Sequence, residues 1–164
     1  MLIRVPYDRA AAVAYAEKWA FSRNPEYYDF HGIGGDCTNF VSQCVYAGCG
    51  VMNYTPEYGW YYIDLENRSP SWSGVEFFYD FFSENQSVGP HSMHAPLSRL
   101  LPGDVVQLGR EDGSFYHTLL VLSNDSEILV AAHTNDALYR PLSSYQFDQI
   151  RALHITDAFR QTSF

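Results

Sequence analysis

The sequence predicts an α+β fold, because helical patterns fill its first part and β-type runs fill its last third. Two stretches carry the helical signal. "YDRAAAVAYAEKWAF" (7–21) is alanine-rich with Val13, Ala16 and Ala20 at helical spacing, and residues 37–47 place Phe40, Val41, Cys44 and Val45 on one stripe. The β signal lies in "PGDVVQLG" (102–109), "FYHTLLVLS" (115–123), "EILVAAH" (127–133) and "IRALHI" (150–155), short apolar runs separated by turn residues. An antiparallel sheet is the expectation.

In the first helix, Asp8 is the expected N-cap, its carboxylate accepting from an early backbone N–H. The loop "NPEYYDFHGIGG" (24–35) follows, with Asn-Pro and three glycines. The second helix then opens at Cys37, with Asp36 expected to cap it and Gly48 or Gly50 to end it. Residues 51–100 are rich in aromatic side chains, and Val75–Phe82 reads as a short helix. Trp60, Tyr61, Tyr62 and Trp72 suit a core, with a groove against substrate as the second reading. His91 and His94 fall in what reads as a polar loop.

Composition limits the function classes. With 164 residues the chain is long enough for one domain, expected to span 1–164, with a core that needs no staples. Ten Lys and Arg against 19 Asp and Glu give a formal charge of −9, and no basic run exists to neutralise a phosphate backbone. Nucleic acid is excluded as the expected partner. No stretch approaches the roughly 18 apolar residues of a membrane span. The start "MLIRVPYDRA" lacks the apolar run of a signal peptide, so an unexported chain is expected unless it is a domain of a longer secreted protein.

Cys37, Cys44 and Cys49 are the only cysteines. Seven residues along one helix separate Cys37 from Cys44 by about 10 Å, beyond disulfide reach. Cys44 and Cys49 read as buried small hydrophobes. Cys37 differs, since it stands behind "GGD" at the helix start, where the backbone dipole favours a thiolate. Nucleophilic catalysis needs such a thiol and an imidazole to move its proton.

Hairpin logic nominates the histidine. If "NDS" (124–126) is a three-residue loop and Ser123 pairs with Glu127, His117 falls opposite His133 on one face, with Cβ atoms about 5 Å apart. A register shifted by one residue would turn His133 to the other face. Asn135 shares the face of His133 and is the alternative third polar residue. A zinc site built from Cys37, His117 and His133 is the weaker reading, because no local Cys-x-x-Cys or His-x-x-x-His pair supports it.

The segments "GGDCTNFVSQC", "LPGDVVQL", "HTLLVL" and "AAHTND", in this order, resemble the bacterial family called Putative amidase domain, a branch of the papain-like cysteine amidohydrolases that include the NlpC and CHAP cell-wall hydrolases. The resemblance covers about residues 7–142. It implies a papain-like fold with N-terminal helices packed on a small antiparallel sheet. It makes Cys37 the nucleophile and His117 the general base, with His133 or Asn135 third. The implied activity is cofactor-independent, metal-free hydrolysis of an amide through an acyl-enzyme, with a peptide substrate such as one derived from peptidoglycan. The Cys37 backbone N–H is the expected oxyanion donor, with Tyr28 or His31 as the second donor and Trp60 near substrate. A Cys37–His117 ion pair is expected to lower the thiol pKa. The alternatives are a catalytically silent peptide- or glycan-binding domain and an acyl transferase with the same residues.

Overall fold

A computed structural model describes residues 1–162 and has the α+β architecture. A strand the sequence reading missed, β1 (Leu2–Val5), precedes α1 (Arg9–Trp19) and α2 (Cys37–Cys49). The short pair β2 (Tyr62–Asp64) and β3 (Asn67–Arg68) and the helices α3 (Pro70–Ser73) and α4 (Val75–Glu84) come next. The remainder is β4 (Gly89–His94), β5 (Val105–Gly109), β6 (Phe115–Asn124), β7 (Ile128–Ala132), β8 (Ala137–Pro141) and β9 (Gln149–Gln161). Seven of these strands form one antiparallel sheet of order β1-β9-β5-β6-β7-β8, with β4 also on β9.

The expected caps divide. Asp8 accepts from the Ala11 N–H at 3.0 Å and starts α1 as read from the sequence. Asp36 precedes α2 but makes no capping bond. Gly50 ends α2 with φ 69°, a left-handed conformation that costs glycine little.

Both sheet faces are covered. Alternation along the strands sends Val105, Leu120, Leu122, Ala131 and Leu153 toward α2 and the aromatic segment. Val106, Leu108, Leu119, Val121 and Val130 form a second cluster on the opposite face. In the first, Trp60 and Trp72 are fully buried with centroids 4.7 Å apart, and Phe78, Phe81 and Phe82 pack around them. Each such side chain contributes about 2 kcal/mol of hydrophobic stabilisation. The Trp60 indole N–H donates to Ser42 Oγ at 3.1 Å, so Trp60 is core and not a substrate contact.

Two expectations in the β region change. His91 and His94 lie on β4, paired to β9, instead of in a loop. The β6–β7 hairpin closes around Asp125–Glu127, with Asn124 opposite Ile128 and Ser123 opposite Leu129, and a bulge at Leu122 then puts Leu120 opposite Ala131. The extra residue in β6 moves the pairing by one position. His117 and His133 are therefore not opposite one another, and their side chains leave the sheet on different faces.

Candidate functional site

The thiol is placed by the start of α2. Gly35, with φ 95°, lets the chain pass so close to the turn after β7 that a Cβ there would meet Thr134 Oγ1 at 3.2 Å. Its left-handed backbone and that contact both favour glycine. Thr134 Oγ1 accepts from the Asp36 N–H at 3.2 Å, and α2 begins one residue later.

Asp36 is fully engaged in fixing this arrangement. Its carboxylate, 1% exposed, accepts from the Phe30 N–H at 2.9 Å, from Asn39 Nδ2 at 2.8 Å and from His133 Nδ1 at 2.5 Å. His133 stacks on Phe40, with centroids 4.0 Å apart, and its Nε2 lies 2.8 Å from the Trp19 carbonyl and 3.2 Å from Arg23 Nη1. Arg23 in turn makes a bidentate pair with Asp136 at 2.9 and 3.1 Å and another with Asp29 at 3.2 Å. Cap chemistry alone would have aimed the Asp36 carboxylate at the helix. The buried histidine, with the half-buried Arg23 Nε 3.7 Å away, outweighs that, because a buried carboxylate needs a cation or several donors more than the helix end does.

The same device recurs away from the thiol. Asp104, also fully buried, accepts from Arg9 Nη1 at 2.8 Å and from the Ile155 N–H, with His154 Nδ1 at 2.8 Å. There it ties α1 to β9. His133 has the surroundings of this structural type.

Cys37 is 6% exposed. Its sulfur lies 3.7 Å from Thr38 Oγ1, and the backbone N–H groups of Thr118 and Thr38 face it and favour the thiolate. Thr38 Oγ1 meets Thr118 Oγ1 at 2.9 Å, which fastens the start of α2 to β6. Burial and the neighbouring Asp36 charge act the other way, and burial is the largest influence, so the Cys37 pKa is raised. The thiol is the resting form.

His117 is the residue next to Thr118, at the edge of β6. The sulfur therefore lies about one peptide from the His117 backbone, while the imidazole leaves the strand on the other face. It is 8% exposed, and its pKa is lowered to about 4 by burial and by the charge of Arg140. The imidazole is neutral at neutral pH. Its ring lies beside Tyr116 and Tyr145, with centroids 6.4 and 5.9 Å away, and makes no hydrogen bond among the described residues. Tyr145 Oη is the one buried side-chain oxygen or nitrogen without a partner among those residues.

The remaining candidates are dispersed. Asn135 is exposed, at φ 59°, in the turn after β7. The Tyr28 carbonyl accepts from Asn39 Nδ2, and its N–H donates to Tyr62 Oη at 2.8 Å. His31 is exposed in the glycine loop. Arg140 and Tyr145 were missed by sequence reading, since the contacts that bring them to His117 come from the strand β8 and the segment after it. Among the described residues no group of three or more His, Cys, Asp or Glu is arranged to hold a metal ion, and no helix is long and apolar enough to cross a membrane.

The fold and the placed groups define a class, an α+β domain with a buried thiol at a helix start against an antiparallel sheet. Comparison with known sequences gives the family: residues 6–156 match the one described as Putative amidase domain, and the chain belongs to it. Family membership points to amidase chemistry in general. Two relatives come from Bacillus subtilis (strain 168). The uncharacterized protein YhbB is 37% identical over 139 residues, 82% of this chain and 43% of that protein. The uncharacterized protein YjcM is 28% identical over 144 residues, 82% of this chain and 32% of that protein. The chain thus spans less than half the length of each. No solved structure matches.

Proposed function

We propose that the protein is a thiol amidase of papain-like type, related to the NlpC and CHAP hydrolases, that cleaves an amide bond in a peptide. The observation that supports this most is the buried Cys37 thiol at the start of α2, faced by the backbone N–H groups of Thr38 and Thr118, with a neutral, unpartnered His117 as the next residue along β6. Cell-wall peptides are the substrate that the resemblance suggests.

In this reading His117 accepts the Cys37 proton as the sulfur attacks the carbonyl carbon, so a thiol and imidazole react without a standing ion pair. The surroundings keep both groups neutral at rest, since one pKa is raised and the other lowered, so the proton moves only as the sulfur attacks. The first turn of α2 has no side-chain cap, which supports the reading that the Cys37 N–H receives the developing oxyanion. Collapse breaks the C–N bond, and the amine leaves with the proton from His117. Water, deprotonated by His117, then cleaves the thioester and returns the thiol. The imidazole makes no hydrogen bond to Cys37 among the described residues and leaves β6 on the other face, so this reading requires it to come round the strand end to the thiol when substrate binds.

The test is mass spectrometry of the protein during turnover of a peptide-amide mixture. A thioester on Cys37 is expected, absent in Cys37→Ser, with amine release reduced at least about a hundredfold in His117→Ala. Hydrolysis that persists in Cys37→Ser would overturn the reading.

A further inference from the structure

Behind the thiol, the sheet face turned toward α2 carries a row of polar side chains. Thr118, Gln107 and Arg151 are direct neighbours on β6, β5 and β9, and Thr38 meets the row from α2. Thr38, Gln107 and Thr118 are buried, a placement that is costly unless each polar group is hydrogen-bonded. Their bonds form one chain. Arg151 Nε lies 2.9 Å from Gln107 Oε1, Gln107 Nε2 is 3.1 Å from Thr118 Oγ1, Thr118 Oγ1 is 2.9 Å from Thr38 Oγ1, and Thr38 Oγ1 is 3.7 Å from Cys37 Sγ.

The direction of donation is set at the end far from the sulfur. A guanidinium only donates, so Gln107 must turn its carbonyl oxygen to Arg151. The Val75 carbonyl only accepts, and it takes one Gln107 amide hydrogen at 3.0 Å, which leaves the other for Thr118 Oγ1. Arg151 is itself held in place, with its guanidinium 3.5 Å from the Tyr79 ring centre and 3.7 Å from that of Phe115, and Nη2 donating to Glu76 Oε1 at 3.0 Å. A hydroxyl has one hydrogen to give. Thr118 receives from Gln107, so its own hydrogen goes to Thr38, its other side-chain partner among the described residues. The Thr38 hydrogen is then left for the sulfur.

We infer that Arg151, Gln107 and Thr118 are positioning residues whose bonds, read in that order, aim the Thr38 O–H at Cys37 Sγ. A donor at the sulfur favours the thiolate over the thiol. It opposes the nearest charge, Asp36, which is bonded to His133, while the His117 imidazole leaves β6 on the other face and the Arg151–Glu76 pair stands at the far end of the row. The inference deepens the amidase reading and rests on it for its consequence: the O–H steadies the sulfur as the C–S bond of the thioester breaks.

The test is the pH profile of Cys37 alkylation by iodoacetamide in the intact protein, with the label located by mass spectrometry. Thr38→Val removes the donor and is expected to raise the midpoint by about one pH unit, whereas Thr38→Ser keeps it. Gln107→Glu reverses the chain. A carboxylate accepts from Arg151 and from Thr118 alike, so the Thr118 hydrogen turns to it, the Thr38 hydrogen turns to Thr118, and the sulfur loses its donor. A similar rise is expected, and it should be absent in the Thr38→Val background, because the relay acts only through that hydroxyl. Thr118→Val is the second background, for the case that Thr38→Val does not fold; with no hydroxyl there to reverse, Gln107→Glu should again be silent. An unchanged midpoint in Thr38→Val, or an equal rise from Gln107→Glu with and without the hydroxyl, would overturn the inference, the latter showing added charge and not the relay. Alkylation is read without turnover, so a failed thioester test rejects the amidase and not the relay, and a failed relay leaves the amidase reading intact.

Discussion

His117 and His133 are both buried histidines from one hairpin, yet they are opposites. His133 has each ring nitrogen within hydrogen-bond distance of a group in the chain, against Asp36 on one side and Trp19 and Arg23 on the other. His117 has ring neighbours, a repelling cation and no hydrogen bond among the described residues. A saturated imidazole is a strut, whereas an unpartnered one is free to take a proton from a reacting group. The likeness of His133 to the Asp104–His154–Arg9 cluster strengthens the division, because the same chemistry there joins a helix to a strand.

The largest test of this contrast is loss of function. His117→Ala should abolish amide cleavage, whereas His133→Asn, if it folds, should keep a measurable part of it; steady-state assays on one peptide amide compare them. Equal losses, with both proteins equally folded, would erase the distinction.

Stability should divide the two histidines in the opposite sense. His133→Ala leaves Asp36 as a buried charge short of its partner, which costs about 3–5 kcal/mol. Asp36→Asn combined with His133→Ala should recover part of that loss, and urea unfolding of the two single variants and the pair measures the coupling.

A pH effect of similar origin belongs to His117. An unfolded histidine binds a proton near pH 6.5, and His117 in the fold binds one only near 4. Between those values the unfolded chain holds more protons, so this contribution is complete above pH 6.5 and is lost as pH falls through about 4. The loss is about 3 kcal/mol. His117→Gln should remove that part of the acid sensitivity in unfolding curves measured from pH 7 to 4.

A smaller effect concerns the thiol. Because the Cys37 pKa is raised, its alkylation by iodoacetamide should slow steadily as pH falls toward neutrality, with no fast phase in mild acid. Asp36→Asn removes a nearby anion and should speed labelling at a given pH, provided Cys37 exposure is unchanged by hydrogen exchange. The smallest change expected is Asn135→Gly, within about 0.5 kcal/mol of native stability, because the residue is exposed at φ 59°, which glycine adopts freely.

Much of the fold was legible. Alanine spacing and the Asp8 cap located α1, and apolar runs located β5, β6, β7 and the first half of β9, because those signals are local. β1 and β4 were not legible. A four-residue strand at the chain start and a Gly-Pro-His segment carry weak strand signals, and both form by pairing with β9, more than 50 residues away in sequence.

The candidate site shows the same limit at finer scale. The sequence by itself determined that Cys37 opens a helix after a glycine-bearing turn and that His117 and His133 come from one hairpin. Only the tertiary structure decided what those groups are. A single bulged residue at Leu122 sent the histidines to different faces, burial raised the thiol and lowered His117, and Asp36 turned from cap to buried partner. The physical reason is that register, desolvation and the choice of ion-pair partner depend on neighbours distant in the chain, whereas helix starts and apolar runs are written in adjacent residues.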